Sequence, residues 1–303
     1  MNWAKKNKTA IIVAGPTAVG KTAVAIAVAK QLKTEIISAD SRQCFKELNI
    51  GVARPSADEL QQVNHHFIAT HSIMDIISAA SFEQYALRKI NELFLQHDSV
   101  VMTGGTGLYI KAFCEGLDEM PAADPAIRKK ISGRYKENGL PWLQQQLQKK
   151  DLLFSKEGEM QNPQRMMRAL EVMESTGQSI LTFYKKEKTI RDFKIIKIGL
   201  QLPKEELVLR INNRVDKMIA AGLVEEVEQL TAFKNQNALQ TVGYSEIFNY
   251  LDKKMSLPEA IERIKINTRQ YAKRQMTWFK KDTEMNWFFP AQASEVIAFI
   301  NSQ

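Results

Sequence analysis

The chain has 303 residues, 44% of them hydrophobic, and a formal net charge of +8. That length allows two domains or one large domain with an insertion, and the composition is that of a globular protein with a real core. Two cysteines, Cys44 and Cys114, make neither a disulfide framework nor a zinc spacing; no run of 18 apolar residues predicts a membrane span; and the apolar stretch after the basic start stops at Gly15-Pro16, too early for a signal peptide. A cytoplasmic protein is the expectation.

Residues 10–14, AIIVA, predict a buried strand. Gly15-Pro16-Thr17-Ala18-Val19-Gly20-Lys21-Thr22 follows and spells the phosphate-binding pattern G-x-x-x-x-G-K-[ST], ahead of a helix to about Lys33 with Val24, Val28 and Leu32 spaced four apart. In such a loop the backbone N–H groups and the helix N-terminus face a phosphate; Lys21 would touch its oxygens and the Thr22 hydroxyl would ligate Mg²⁺. The pattern specifies a diphosphate but neither what the diphosphate is attached to nor that it belongs to ATP.

TEIIS (34–38) predicts a second strand, with Asp40 just beyond it. An acid there is either a helix N-cap or a carboxylate that reaches the crevice and accepts a proton from a nucleophile. Residues 81–97 predict a helix, and SVVMTGG (99–105) a third strand whose glycines allow close approach of the backbone to a ligand. Thr106 offers a hydroxyl there; the alternative is a plain glycine turn beside a packing Tyr109. His65, His66 and His71 cluster, but adjacent residues do not share a face, so no metal site is expected.

From Asp118 to Lys188 strand signals vanish. Helix starts at Asp124-Pro125, LPWLQQQLQKK and NPQRMMRALEVMESTG, the last ending at Gly177, predict an all-helical insertion. Strand signals resume with FKIIKIGLQL (193–202) and NWFF (286–289). Between them lie one or two helices over 204–233, with a break at Gly222, and a long helix from Pro258 to Lys281. The expected organisation is an α/β core in 1–118 and 189–303, with a parallel sheet flanked by helices, interrupted by the insertion at 119–188. Ligands of such sheets bind beyond the strands' carboxyl ends, where the loop, Asp40 and Gly104–Gly107 all fall. Net charge is +1 over 1–118, +4 over 119–188, 0 over 189–250, +6 over 251–281 and −3 over 282–303. A polyanionic partner or a solvated basic surface would account for that asymmetry.

GPTAVGKT, DSRQCF, GVARP (51–55), GGTGLY (104–109), ADPAIR (123–128), NPQRMMRALE (162–171), VGYSE (242–246) and KRQMTWFK (273–280) occur in this order. Together, from about residue 10 to 281, they resemble the bacterial tRNA dimethylallyltransferase family, also called tRNA isopentenyltransferase. The resemblance implies a P-loop NTPase-like sheet with a tRNA-binding helical insertion. It also implies a reaction. The dimethylallyl group of dimethylallyl diphosphate passes to N6 of the adenosine 3′ of the anticodon, position 37, in tRNAs that read codons starting with U.

By the same resemblance, Gly15–Thr22 hold the diphosphate with Mg²⁺ on Thr22, Asp40 is the general base, and Thr106 contacts tRNA near the reaction centre. Arg214, four residues after Arg210 on the same helical face, is a diphosphate-side contact. The tRNA contacts implied are Asp40, Ser41, Arg42, Gln43, Thr106, Arg128, Gln164, Arg165, Met166, Met167 and Arg168. They continue with Gln240, Thr241, Val242, Gly243, Tyr244, Ser245, Lys273, Arg274, Gln275, Met276, Thr277, Trp278, Phe279 and Lys280. Lys265, Arg269 and Lys273 form a stripe at spacing four, with Tyr271 and Trp278 interleaved; Trp278 reads equally as a stacking surface or as core. Asn162 stands where the family often has aspartate, Cys44-Phe45 replaces an aliphatic–Tyr pair, and no zinc module follows the core. A monomer is expected. Two rivals share the loop. An isopentenyltransferase for free adenine nucleotides would not need the basic segments, and an ATP-driven RNA-binding protein would need an acid ending a Walker-B-type strand, for which the sequence has no good candidate.

Overall fold

A computed structural model describes residues 8–122, 124–185 and 187–303. The basic start at 1–7, Ala123 of the ADPAIR block and Lys186 lie outside the described residues. The chain divides into two compact units, 1–115 with 190–303, and 116–189. No helix among the described residues is long and apolar enough to cross a membrane.

The larger unit is built on a six-stranded, all-parallel sheet: β1 (Thr9–Ala14), β2 (Ile36–Ser38), β3 (His65–His66), β4 (Ser99–Gly104), β5 (Lys194–Leu200) and β6 (Asn286–Phe288), in the order β3-β2-β4-β1-β5-β6. Its helices begin with α1 (Lys21–Gln31), α2 (Ala57–Gln62), α3 (Ala79–Leu93) and α4 (Gly107–Glu115). Three more, α5 (Pro125–Lys150), α6 (Leu152–Glu157) and α7 (Pro163–Thr176), belong to the smaller unit. The chain then returns to the larger unit with α8 (Lys204–Ala220), α9 (Leu223–Gln229), α10 (Tyr244–Leu251), α11 (Leu257–Phe279) and α12 (Ala293–Asn301).

Alternation along β1 builds a core on each face of the sheet. Ile11 and Val13 pack with Val24 and Val28 of α1 and Val296 and Ile300 of α12. Ile12, Ala10 and Ala14 face the other way, into a larger cluster with Phe82, Phe113, Ile247 and Ile264 from α3, α4, α10 and α11. Strands covered on both sides must be apolar throughout, which is why they read as continuous hydrophobic runs. β1 lies between β4 and β5, so the loop after β1 opens where the chain's strand order reverses, the usual place for a ligand crevice.

β3 departs from the sequence expectation. Two histidines carry no apolar run, and they become a strand only by pairing with Ile36 and Ile37. His65 Nδ1 bonds to Val63 O at 2.8 Å, His66 Nε2 to Glu35 at 2.6 Å, and His71 Nδ1 to the Thr70 hydroxyl at 2.8 Å.

In the smaller unit Asp124 caps α5 by accepting from the N–H groups of Ala126 and Ile127 at 2.7 and 3.4 Å. The stretch LPWLQQQLQKK starts a helix as expected: α5 is two helical segments joined at a kink, where Gly139 takes φ +69° two residues before Pro141. Asn162 Oδ1 caps α7, accepting from Gln164 and Arg165 N–H at 3.1 and 3.3 Å. Asparagine and aspartate serve about equally well as N-caps, so the exchange at 162 preserves the element. Ile131, Leu143, Leu147, Phe154, Met166 and Leu170 form this unit's own core.

Candidate active site

Three strand ends meet at the crevice of the larger unit. After β1 comes the Gly15–Thr22 loop, in which Gly15, Ala18 and Gly20 all take positive φ. Lys21 and Thr22 begin α1, so the loop amides and the helix's positive end are directed to one place. Lys21 Nζ donates to Pro16 O at 2.8 Å. Burial pushes its pKa down from 10.5 to about 8; the Asp40 carboxylate opposes that fall and the Arg214 guanidinium adds to it.

After β2 comes Asp40. Its Oδ1 accepts from the N–H groups of Arg42 and Gln43 at 2.9 and 3.2 Å, which closes the turn that follows. The same carboxylate acts electrostatically on Lys21 and on Arg214, whose own pKa burial lowers. The carboxylate thus closes a turn, with no helix after it, and acts on two cations. Arg214 projects from α8 and is partly buried. Arg210, one turn earlier, donates to Val19 O at 3.4 Å and pairs with Glu206 at 2.8 Å.

After β4 comes Gly104-Gly105-Thr106. The Thr106 N–H donates to Ala39 O at 3.2 Å, its Oγ1 accepts from Ser41 N at 3.0 Å, and its hydroxyl lies 3.3 Å from Ser41 Oγ. Thr106 thus stitches the β4 turn to the Asp40 segment. Gln43 extends the stitching. Its Nε2 donates to Val52 O and Ala53 O at 3.3 and 3.0 Å, while Arg54 donates to Phe45 O at 2.8 Å and Lys46 O at 3.1 Å. The GVARP block thereby acts as a brace behind the Asp40 turn.

The residues expected to contact RNA separate by exposure. In the larger unit Gln240, Lys273, Arg274, Thr277, Trp278 and Lys280 are exposed, and Ser41, Arg42, Gln43, Thr241, Val242, Ser245 and Met276 partly so. In the smaller unit Arg128, Gln164 and Arg165 are exposed and Arg168 partly buried.

Six of the residues expected to contact RNA are buried. Met166 and Met167 are core of the helical unit, and Phe279 and Tyr244 are core of the larger one, so none has side-chain surface to offer a nucleic acid. Gly243 is buried at the start of α10, and Gln275 is buried at the phosphate loop. Lys265, expected in a basic stripe, is held by Asp216 at 2.8 Å and Glu262 at 3.1 Å. Trp278 resolves its two readings in part. It lies against Gly107, where a Cβ would come within 2.2 Å of the indole, yet 37% of it stays exposed.

Sequence reasoning passed over Glu226. Its carboxylate accepts from the N–H groups of Asn49, Ile50 and Gly51 at 3.2, 2.8 and 3.1 Å and from the Tyr244 hydroxyl at 2.5 Å. One of two adjacent glutamates on a short helix carries no signal of that kind.

A parallel sheet with a G-x-x-x-x-G-K-T loop at its carboxyl edge, and a carboxylate and an arginine acting on that loop's lysine, defines a P-loop α/β protein. The chain belongs to the IPP transferase family, whose model matches residues 43–282. It is 48% identical over 294 residues to a tRNA dimethylallyltransferase of Christiangramia forsetii, covering 97% of each chain. A tRNA dimethylallyltransferase of Cytophaga hutchinsonii is 44% identical over 297 residues, 98% of each. Among solved structures, a tRNA isopentenylpyrophosphate transferase from Bacillus halodurans superposes with a TM-score of 0.72 at 33% identity, covering 98% of this chain and 96% of that one. A eukaryotic dimethylallyltransferase acting on tRNA gives 0.73 at 26% identity, covering 89% of this chain and 69% of the other.

Proposed function

We infer that this chain is a tRNA dimethylallyltransferase, an enzyme that moves the dimethylallyl group of dimethylallyl diphosphate onto N6 of adenosine 37, beside the anticodon, in tRNAs reading codons that start with U. The observation that carries the chemistry is the meeting of Lys21, Arg214 and Asp40 at the mouth of the phosphate loop.

In this reading the N6 nitrogen attacks allylic C1, the C1–O bond breaks, and the electron pair leaves on the diphosphate. The amides of Ala18–Thr22, Lys21 and Arg214 supply positive charge where that negative charge grows. Asp40 Oδ1 is engaged in its turn, so the carboxylate's other oxygen takes the N6 proton as the C–N bond forms. Thr106 holds the Asp40 segment in place. The donor set suits Mg²⁺, an ion that takes one or two protein oxygens and fills the rest of its octahedron with substrate phosphate and water; Thr22 is the residue that would hold it. When bound, the ion supplies further charge for the leaving group.

The adenine has to leave the anticodon-loop stack to reach such a crevice. The exposed cations of α11 and of the helical unit suit phosphate contacts, which strengthen binding at low salt. Those two basic surfaces favour tRNA over free adenine nucleotides as acceptor. A monomeric, cytoplasmic enzyme belongs to the same proposal.

The direct test is incubation with labelled dimethylallyl diphosphate and unmodified tRNA, which should label the RNA at N6 of adenosine 37. Label only on added free nucleotide, or ATP turnover without transfer, would sink the reading. Asp40→Asn keeps a turn-closing oxygen, so it should bind donor normally while transfer falls by about 100-fold or more. Near-normal turnover would remove Asp40 from the base role.

A further inference from the structure

Gln275 sits two residues before Thr277 on α11, in a helix segment otherwise marked by exposed cations and an indole, yet its side chain is only 6% exposed. Its Oε1 accepts from the Thr17 backbone N–H at 2.8 Å, and its Nε2 donates to Gly105 O at 2.8 Å. Only this orientation of the amide satisfies both partners, since the reverse would set N–H against NH₂ and oxygen against oxygen. Space for it is made by Gly105, where an added Cβ would lie 2.2 Å from Gln275 Nε2 and strike the amide. One buried amide therefore ties three elements together: the phosphate loop after β1, the turn after β4 that carries Thr106, and the long basic helix.

We propose that Gln275 is a positioning residue of the diphosphate site rather than a contact to RNA. By occupying the Thr17 N–H it fixes the first half of the loop, and so aims the amides of Ala18–Thr22 at the diphosphate. By holding Gly105 O it keeps Thr106 in register with that loop. Loops of this kind act through backbone geometry, and a single lost anchor lets the amides diverge from the position of the anion. The inference rests on the loop being a diphosphate site, as in the function proposed above.

The test separates Gln275 from the exposed residues around it. Binding of inorganic pyrophosphate with Mg²⁺ is measured by calorimetry, and binding of an unmodified anticodon stem-loop RNA by fluorescence anisotropy, on the full chain. Gln275→Ala should weaken pyrophosphate about tenfold, the scale of one buried hydrogen-bond anchor, and leave RNA affinity within about twofold. Gln275→Glu keeps the shape and an acceptor for Thr17 but loses the donor to Gly105 O and adds a negative charge beside the loop. It should still unfold in one cooperative transition, at a lower melting temperature, and lose pyrophosphate affinity. In transfer assays both variants should raise KM for the allylic donor and leave KM for RNA unchanged. RNA affinity falling while pyrophosphate affinity holds, or neither changing, would overturn the proposal. A wild-type protein that binds pyrophosphate and shows this split, yet transfers no label to tRNA, would instead fault the proposed reaction and leave the role of Gln275 standing.

Discussion

Lys21 carries the clearest single-residue consequence. In the free site its pKa is lowered to about 8, because burial outweighs the attraction of Asp40 and Arg214 adds repulsion. A bound diphosphate favours the charged form and draws the pKa back up. Below about pH 8 the lysine is charged in both states and contributes no pH dependence. Above that, binding must take up a proton, so pyrophosphate affinity falls as pH rises. Calorimetry at pH 9 in two buffers of different ionisation enthalpy should show proton uptake beyond the ligand's own, and Lys21→Arg, charged throughout, should abolish the excess. At this scale the loop was legible in the sequence because its spacing encodes one backbone geometry, and Asp40 because a strand end precedes it. Glu226 and the true place of Gln275 were not legible, since a hydrogen bond across 170 or more residues leaves no local pattern.

Elements with strong local chemistry were readable, and those made by tertiary pairing were not. Capping signals at Asp124 and Asn162 each precede a helix as expected, and Gly222 separates α8 from α9 with φ +96°. β3 exists because β2 offers it a free edge, whereas the break in α5 is local chemistry, Gly139 leaving the helix and Pro141 restarting it. The 49–51 segment shows how such tertiary pairing is secured. Three backbone N–H groups and the Tyr244 hydroxyl converge on Glu226, and burial with that carboxylate raises the phenol's pKa, so it stays a donor. Tyr244→Phe removes one hydrogen bond to a charged group without changing the packing. Urea unfolding should show a loss of about 1.5–3 kcal/mol. A loss near zero would mean the hydroxyl is replaceable by water.

At the scale of the molecule, each compact unit secures its own chain ends. In the larger one Arg191 donates to Phe113 O and Ala112 O, both at 2.8 Å, and pairs with Glu83 at 2.7 Å, which holds the two cut ends together. In the smaller one Lys185 N–H donates to Asp118 at 3.0 Å, across a core of its own. Replacing 116–189 by a short Gly-Ser linker should therefore leave a folded protein with near-normal pyrophosphate affinity and RNA affinity reduced by at least about tenfold, read by the same two binding assays. Loss of pyrophosphate binding would show that the units do not fold independently.

The rims of the sheet have a further consequence. β3 pairs through two residues and β6 through three, whereas the central β1 and β4 run for six. As templates for a stray chain the border strands offer only two and three residues. The long hydrophobic strands that two-sided cover demands are thus kept in the middle, where they are not exposed to amyloid-like growth.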